Sequence, residues 1–193
     1  LQSLKKALAF IGHQPGIVFC NFKEALERVS VFLTENNIHH ERFHGGMEQV
    51  DRERALVKFR NGTCQLLLAT DLASRGLDIP EIRFILHYHL PPSEKEFTHR
   101  NGRTARMNRD GIAYILHYKE EKLPEYISEI VSASLPIEDL VEASDPLPIK
   151  WKTLYITGGR RDKISKGDIA GLFLKQGQIN KDQLGIIEVK QDN

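Results

Sequence analysis

The fold is decided by the stretch Leu67-Leu-Ala-Thr-Asp-Leu-Ala-Ser-Arg-Gly-Leu-Asp-Ile-Pro80. It begins as a short apolar run of strand size and continues as a polar segment that contains a glycine. Strand-sized runs recur along the first two thirds of the chain, at residues 17–20, 38–43, 84–88 and 112–117. Helical spacing of apolar residues falls between and after them, at residues 23–36, 50–59, 93–100 and 123–133. This alternation predicts an α/β fold with a mainly parallel sheet and helices on both faces.

A change of composition divides the chain. Residues 134–149 hold three prolines among acidic and small residues, so we predict a linker there between a first domain, residues 1–133, and a second, residues 150–193. The second begins as a strand over 153–157, a helix over 167–175 and a strand over 184–190. Such a unit is small for an independent domain, and it is predicted to be partial.

The overall composition excludes several classes of protein. No apolar run approaches the roughly 18 residues of a membrane span, and no secretory signal is visible, so we expect a cytoplasmic protein with no membrane partner. Cys20 and Cys64 are the two cysteines, which excludes a disulfide framework or a four-cysteine zinc site; both are predicted to be core thiols. The 27 basic and 26 acidic residues give a net charge of +1.

The near-neutral total hides an uneven distribution of charge. Residues 99–111 hold four arginines against one acid, and residues 150–166 hold six bases against one acid. Residues 120–148 between them hold eight acids against one lysine. The two basic blocks are therefore candidate anion sites.

Open parallel α/β sheets bind ligands beyond the carboxyl ends of their strands. There the Thr70 hydroxyl can bond a phosphate, Asp78 can accept from sugar hydroxyls, and the arginines of Arg103-x-x-Arg106 can converge on one phosphate. Two alternatives stay open. An isolated pair of this spacing is more often a solvated helix surface, and Thr70 or Asp71 also suits a helix cap.

Four segments resemble, in order, the motifs of the second RecA-like lobe of DEAD-box RNA helicases. Residues 17–22 resemble motif IV, 44–62 the H-G-x-x-x-Q-x-x-R segment, 70–80 motif V and 99–106 motif VI. The resemblance implies a RecA-like fold of the P-loop NTPase type. His99 favours the DEAD-box group over DNA helicases, in which Gln is common at that position.

The resemblance also implies roles for individual residues. Arg103 and Arg106 match arginine fingers that reach the ATP γ-phosphate, and Asp78 matches the acid that contacts the ribose. His99 and Arg100 match positions that couple the nucleotide to the partner lobe and to RNA. Further residues match the RNA-facing surface or its immediate support: Asn21, Gly45, Gln49, Arg52, Thr70 and Arg75. Contacts to the RNA backbone would make that surface tolerant of base sequence.

The chain departs from the family pattern at five positions. Gly46 and His89 stand where Asp is common in the family. Asn101, Ala105 and Asn108 replace the usual Ile, Gly and Gly around motif VI. None of these departures removes an arginine of motif VI.

The tail extends the resemblance. Residues 152–171 resemble the start of the RRM-like C-terminal RNA-binding domain of DbpA-type helicases, which implies recognition of a ribosomal RNA hairpin during large-subunit assembly. The matching basic residues are Arg160, Arg161, Lys163 and Lys166. Tyr155 on the first predicted strand can stack a base, but packing within the strand accounts for it at least as well.

The chain contains no G-x-x-x-x-G-K-[ST] and no Asp-Glu-Ala-Asp. We therefore expect ATP and Mg²⁺ to be bound mainly by an N-terminal RecA-like lobe, and we predict that this chain alone hydrolyses no ATP. The expected partners are RNA and that lobe, and the expected state is a monomer. A non-enzymatic RNA-binding module on the same fold is the main alternative. A metal site at His87-x-His89 lacks further ligands at usable spacing, so both are predicted to be ordinary strand histidines.

Overall fold

The structure, a computed structural model, describes residues 1–71, 82–102, 104, 111–143 and 151–191. The chain divides into two compact units, Leu1–Ile149 and Lys150–Asn193. The division falls at the end of the predicted linker.

The first unit is built on a parallel sheet of five strands. In chain order the strands are β1 (Gly16–Phe19), β2 (Glu41–Phe43), β3 (Leu66–Ala69), β4 (Phe84–His87) and β5 (Ile112–Ile115). Their order across the sheet is β2-β3-β1-β4-β5, and every adjacent pair is parallel. Each strand overlaps a run that the sequence predicts, which confirms the mainly parallel α/β sheet.

Helices cover both faces of this sheet because successive strand residues point to opposite sides. The helices are α1 (Gln2–Ile11), α2 (Lys23–Glu35), α3 (Gln49–Arg60), α4 (Glu94–Asn101) and α5 (Glu125–Ser128). On one face, α1 and α2 pack against alternate strand residues such as Val18, Leu68 and Leu86. On the other face, α3 packs through Phe59 against residues such as Ile17, Phe19 and Leu67.

Two helices differ from the sequence prediction. Helix α1 was not predicted, although Leu4, Ala7 and Ile11 are spaced to form one buried stripe. The helix predicted over residues 123–133 is only the four-residue α5. There Ile127 is buried while Ile130 is exposed, so the apolar residues share no face that a longer helix would bury.

Part of the predicted linker packs on the first unit. Residues Ile137–Asp139 form a 3₁₀ turn, and Ile137 and Leu140 lie partly buried against the core below α1 and α2. The Ala143 N–H donates to the Ala9 carbonyl at 2.9 Å. The stretch is thus an irregular arm that lies against α1 before the division into units.

The second unit contains a 3₁₀ turn (Arg160–Asp162), helix α6 (Lys166–Gly171), a π-helical turn (Leu172–Gln176) and another 3₁₀ turn (Lys181–Gln183). The strands predicted over residues 153–157 and 184–190 are absent from its described residues, 151–191. This corrects the sequence prediction. A strand needs a hydrogen-bonding neighbour, and in a split β-α-β arrangement the first two strands flank a third instead of pairing with each other.

The order of the strands also places the site. The chain leaves β1 toward β2 on one side of the sheet, and it leaves β4 toward β5 on the other side. The crevice beyond the carboxyl ends of β1 and β4 is therefore the topological switch point, where open α/β sheets bind ligands.

Gly16, at the start of β1, packs closely against Phe84 on the neighbouring strand. A Cβ on Gly16 would lie 2.1 Å from the nearest ring atom of Phe84, which is buried on the neighbouring strand β4. Gly16→Ala is expected to lower the free energy of unfolding by about 1–3 kcal/mol, because the buried ring cannot move aside. Urea unfolding measures this.

A double-mutant cycle supplies the control. In a Phe84→Leu background, the same Gly16→Ala change is expected to cost clearly less, because the ring that it would strike is gone. Equal costs in the two backgrounds would contradict the packing explanation.

Candidate nucleic-acid interface

A buried arginine organises the carboxyl-end edge of the sheet. Arg100 is 1% exposed, and each of its five N–H donors has an acceptor. Nε and Nη2 donate to the two carboxylate oxygens of Asp71, both at 2.6 Å. Nη2 also donates to Asn21 Oδ1 at 2.7 Å, and Nη1 to the His89 carbonyl at 3.2 Å and to His87 Nδ1 at 3.4 Å. The guanidinium thus joins residues that lie far apart in sequence.

The local sequence explains why these groups meet. Asn21 follows β1, Asp71 follows β3 and His89 follows β4, so all three leave the sheet at the same edge. Ser93 is the N-cap of helix α4, and its hydroxyl accepts the Glu96 N–H. One face of α4 then buries Phe97 and Arg100, three residues apart.

His87 lies beneath the guanidinium as a neutral ring. Its Nδ1 accepts from Arg100, which places the ring proton on Nε2, 2.9 Å from Asn101 Oδ1. Its ring stacks on Phe19 and lies against Phe97. Burial, and then the charge of Arg100, lowers the pKa of His87 to about 4.

Asn21 is held on three sides. Its backbone N–H donates to His89 Nδ1 at 3.3 Å, its side-chain amide donates to the Leu90 carbonyl at 2.8 Å, and its side-chain oxygen accepts from Arg100. Burial, followed by the charges of Arg100 and Arg28, lowers the pKa of His89. The histidine that replaces the family's Asp is thus a neutral acceptor.

A second buried histidine supports the turn after β2. His44 Nδ1 accepts from the Gly46 N–H at 3.2 Å, and Nε2 lies 2.9 Å from Glu27 Oε1, without the alignment of a hydrogen bond. Glu27 also accepts from Arg42 at 2.6 Å. Burial acts to raise the pKa of Glu27, but the hydrogen bond from Arg42 and the charges of Arg42 and His44 outweigh it, and the pKa is lowered.

Gly46 lets a lysine cross this turn. A Cβ at position 46 would lie 2.8 Å from Lys23 Nζ, so the ammonium occupies space that a side chain at this position would need. The family's Asp is therefore replaced by glycine together with a close cation.

The turn borders a surface cleft of about 580 Å³ between α2, β2 and α3. Most of its basic side chains are paired with acids of the same cleft: Arg42 with Glu27, Arg54 with Asp51 and Lys58 with Glu41. Lys23 also lines the cleft, and it has no acidic partner among the described residues.

The structure brings together only some of the predicted site residues. The carboxyl-end edge brings together Asn21, Thr70 and Arg100. The polar groups of Asn21 and Arg100, however, form hydrogen bonds within the protein. On α3, Arg52 donates to the Gln49 side chain at 2.5 Å. His99 is exposed beside buried Arg100. Four predicted residues lie outside the described residues: Arg75, Asp78, Arg103 and Arg106.

Three residues that hold this edge together were not predicted as site residues. Asp71 binds Arg100 in a bidentate pair, and His87 and Asn101 bond each other below it. The position of Asp71 immediately beyond a strand end was a usable signal. The histidine and asparagine carried no signal, because their pairing arises only when α4 folds back over β4.

Other groups in the described part of the chain bear on alternative functions. Cys20 and Cys64 are buried, and burial raises the pKa of each thiol to about 12, which confirms that they are core thiols. The described residues contain no group of three or more His, Cys, Asp or Glu placed to hold a metal ion.

No helix within the described residues is both long and apolar enough to cross a membrane.

Comparison with known proteins identifies the family. The family model of the helicase conserved C-terminal domain matches residues 2–108, more than half of the chain. The chain belongs to this family. A second model, the DbpA RNA-binding domain, matches residues 153–193. Together the matches make the chain a C-terminal helicase lobe of the DbpA type.

A relative and two solved structures agree with this assignment. The ATP-dependent RNA helicase DbpA of Escherichia coli strain K12 is 34% identical over 92% of the chain, which spans 40% of that protein's length. S. cerevisiae Dbp5 bound to RNA and ADP BeF3 superposes with a TM-score of 0.57 at 26% identity, over 61% of this chain and 32% of that one. E. coli SrmB bound to RraA superposes with a TM-score of 0.53 at 33% identity, over 57% of this chain and 68% of that one. The helicase lobe therefore has the RecA-like fold of DEAD-box C-terminal domains.

Protonation of His87 is expected to weaken the lobe in acid. Its pKa is about 4 in the folded lobe against an ordinary value of 6.5, so between these values the unfolded chain binds the extra proton. This stability is present above pH 6.5 and is lost as the pH falls toward 4. The full loss is on the order of 3 kcal/mol. Urea unfolding at pH 7.5, 6.0 and 5.0 measures it.

His87→Gln is the matched variant, because glutamine stays neutral over this range. Its unfolding free energy is expected to fall less with acid than that of the wild type, and the difference isolates His87 because all other titrating groups are shared. Equal pH dependence in the two proteins would show that His87 does not titrate as described.

Proposed function

We propose that the chain is the C-terminal RecA-like lobe of an ATP-dependent RNA helicase, in which it supplies arginine fingers and half of the RNA-backbone surface. The observation that carries the proposal is the Arg100 network at the switch point, within a chain of this family. The DEAD-box relatives that it matches include an ATP-dependent RNA helicase and a structure bound to RNA and a nucleotide.

The network explains how the lobe would present motif VI. The five hydrogen bonds of Arg100 fix the last turn of α4, and motif VI continues from that turn to Arg103 and Arg106. We assign these two arginines as fingers for the ATP γ-phosphate. Their permanent charge and forked donors suit a phosphoryl group whose negative charge must be stabilised in the transition state.

The remaining nucleotide contacts are assigned in the same way. His99 is exposed in the last turn of α4, which fits a role in coupling the nucleotide to the partner lobe. Asp78 is assigned to the ribose hydroxyls. Bound ATP and Mg²⁺ would supply the phosphoanhydride and its charge neutralisation from an N-terminal RecA-like lobe. The part of the C-terminal lobe is to orient its assigned side chains toward the bound ATP.

The RNA surface is assigned to the same edge of the sheet. Gly45, Gln49 and Arg52 lie on the turn after β2 and the start of α3, and Thr70 lies at the end of β3. Arg75 completes the assignment. Asn21 and Arg100 act from inside, as positioning residues, because their polar groups bind Leu90 and Asp71 and each other.

The tail is proposed to add affinity for a structured ribosomal RNA in large-subunit assembly. Its supporting observation is the match to the DbpA RNA-binding domain. The four basic residues that match the DbpA-type pattern are all exposed, and we assign them to the RNA: Arg160, Arg161, Lys163 and Lys166.

The finger assignment is tested by Arg103→Ala in a protein that joins this lobe to its N-terminal RecA-like lobe. RNA-stimulated ATP hydrolysis is expected to fall by about 10³- to 10⁵-fold, because a charge that stabilises the transition state is removed. RNA binding without nucleotide is expected to stay. Arg83→Ala is the control, since Arg83 is exposed at the amino end of β4, away from the site. Unchanged hydrolysis in Arg103→Ala would contradict the assignment.

The RNA surface is tested with the chain itself. Arg52→Ala is expected to weaken binding to single-stranded RNA and to reduce the slope of log affinity against log salt by about 0.7, the value for one lost phosphate contact. Fluorescence anisotropy at four salt concentrations measures both. Arg83→Ala should bind as the wild type does. The non-enzymatic alternative predicts the same RNA binding, but no ATP hydrolysis after the N-terminal lobe is joined.

A further inference from the structure

Phe22 is exposed, whereas the other phenylalanines of the chain are buried or partly buried. The structure describes all nine, and Phe22 alone is exposed, at 66%. Leaving a phenylalanine in water gives up about 1.5–3 kcal/mol that its burial would contribute. The ring makes no contact with another ring among the described residues. Core packing therefore does not explain this aromatic residue.

The backbone holds Phe22 in place. It lies between β1 and α2, directly after Asn21, whose backbone and side chain are both bonded to the β4 exit. Its own carbonyl accepts the Leu26 N–H at 3.1 Å in the first turn of α2. The exposed ring thus extends from an ordered segment at the switch-point edge. Ligand binding would therefore not have to pay the entropy cost of ordering the backbone at this position.

The next residue supplies a cation. Lys23 crosses the Gly45–Gly46 turn, and it has no acidic partner among the described residues, whereas Arg42, Arg54 and Lys58 of the same cleft are paired. An exposed aromatic ring followed in sequence by a cation without an acidic partner among the described residues is a combination with which proteins bind single-stranded nucleic acid. Bases stack on the ring, and the cation attracts the adjoining phosphate.

We propose that Phe22 is a stacking platform for one base of the bound RNA strand and that Lys23 binds a phosphate next to it. The proposal rests on the proposed function and adds to it. The other surface residues would read the backbone alone, whereas Phe22 would contact a base face. Every base has such a face, so the contact would add affinity without strict sequence preference.

The test uses the 193-residue chain and two forms of one single-stranded RNA, intact or with abasic sites placed one at a time. Phe22→Ala is expected to weaken binding to intact RNA by about 5- to 20-fold, the lower part of the range for a stacked base. It should also abolish the penalty that the wild type shows for one particular abasic site. Phe22→Tyr should bind as the wild type does. Phe22→Leu should lose most of the affinity that stacking contributes, because leucine keeps an apolar side chain but has no ring.

Two further variants separate the contributions. Lys23→Gln is expected to reduce the salt slope by about 0.7, while Phe22→Ala leaves the slope unchanged. Val31→Ala is the matched control, since Val31 is an apolar residue on the adjoining helix α2 that is also exposed, at 58%. It should leave both RNA affinity and abasic sensitivity unchanged.

The outcomes distinguish this inference from the proposed function. If Phe22→Ala binds intact RNA as tightly as the wild type does, or keeps the abasic penalty, while Arg52→Ala weakens binding, the stacking platform is wrong and the RNA surface stands. Phe22 would then suit a protein partner. A wild-type chain that binds no RNA overturns both proposals.

Discussion

The carboxyl-end edge of the sheet depends on the burial of one guanidinium. A buried charge is costly unless its geometry and hydrogen bonds are nearly complete. Arg100 meets that condition with a bidentate carboxylate, an amide oxygen, a carbonyl and an imidazole nitrogen, and it also lies 5.1 Å from the centre of the Phe19 ring. These partners lie on the segments that follow β1, β3 and β4. If any one of these segments moved, a buried donor or acceptor would lose its hydrogen-bond partner. The arginine therefore sets the relative positions of three loops and of α4.

The histidines around Arg100 take part in the network only when they are neutral. His87 accepts from the guanidinium and His89 from the Asn21 N–H, each through Nδ1. A proton on either acceptor would break its bond and add a second positive charge to a site with one bidentate carboxylate, Asp71. Burial, and then the charge of Arg100, lowers both pKa values. Burial, assisted by the charge of Arg100, thus keeps both histidines in the neutral form in which they can accept these hydrogen bonds.

Sequence patterns predict those parts of the lobe that depend on local regularity. Apolar runs place β1, β3, β4 and β5 almost to the residue, and motif spacing places Asn21, Thr70 and Arg100 at one edge. Three features escape prediction for different reasons. The pairing of His87 with Asn101 requires α4 to fold back over β4. The inward direction of Arg100 is set by the bidentate carboxylate of Asp71, whereas basic blocks normally lie in solvent. The strands predicted in the tail have no neighbour with which to form a ladder among the described residues.

Neighbouring residues of one motif perform opposite tasks in this lobe. In α4 the helical period turns Phe97 and Arg100 inward and leaves His99 exposed; after β1 the chain turns Asn21 inward and leaves Phe22 in solvent. The sequence of a motif alone does not distinguish the residue that supports the binding surface from the residue that is exposed on it, because both belong to the same short segment. Burial and hydrogen bonding make that separation. Contacts to a ligand are therefore to be sought at the exposed members of each pair, and the buried members decide whether those contacts are correctly placed.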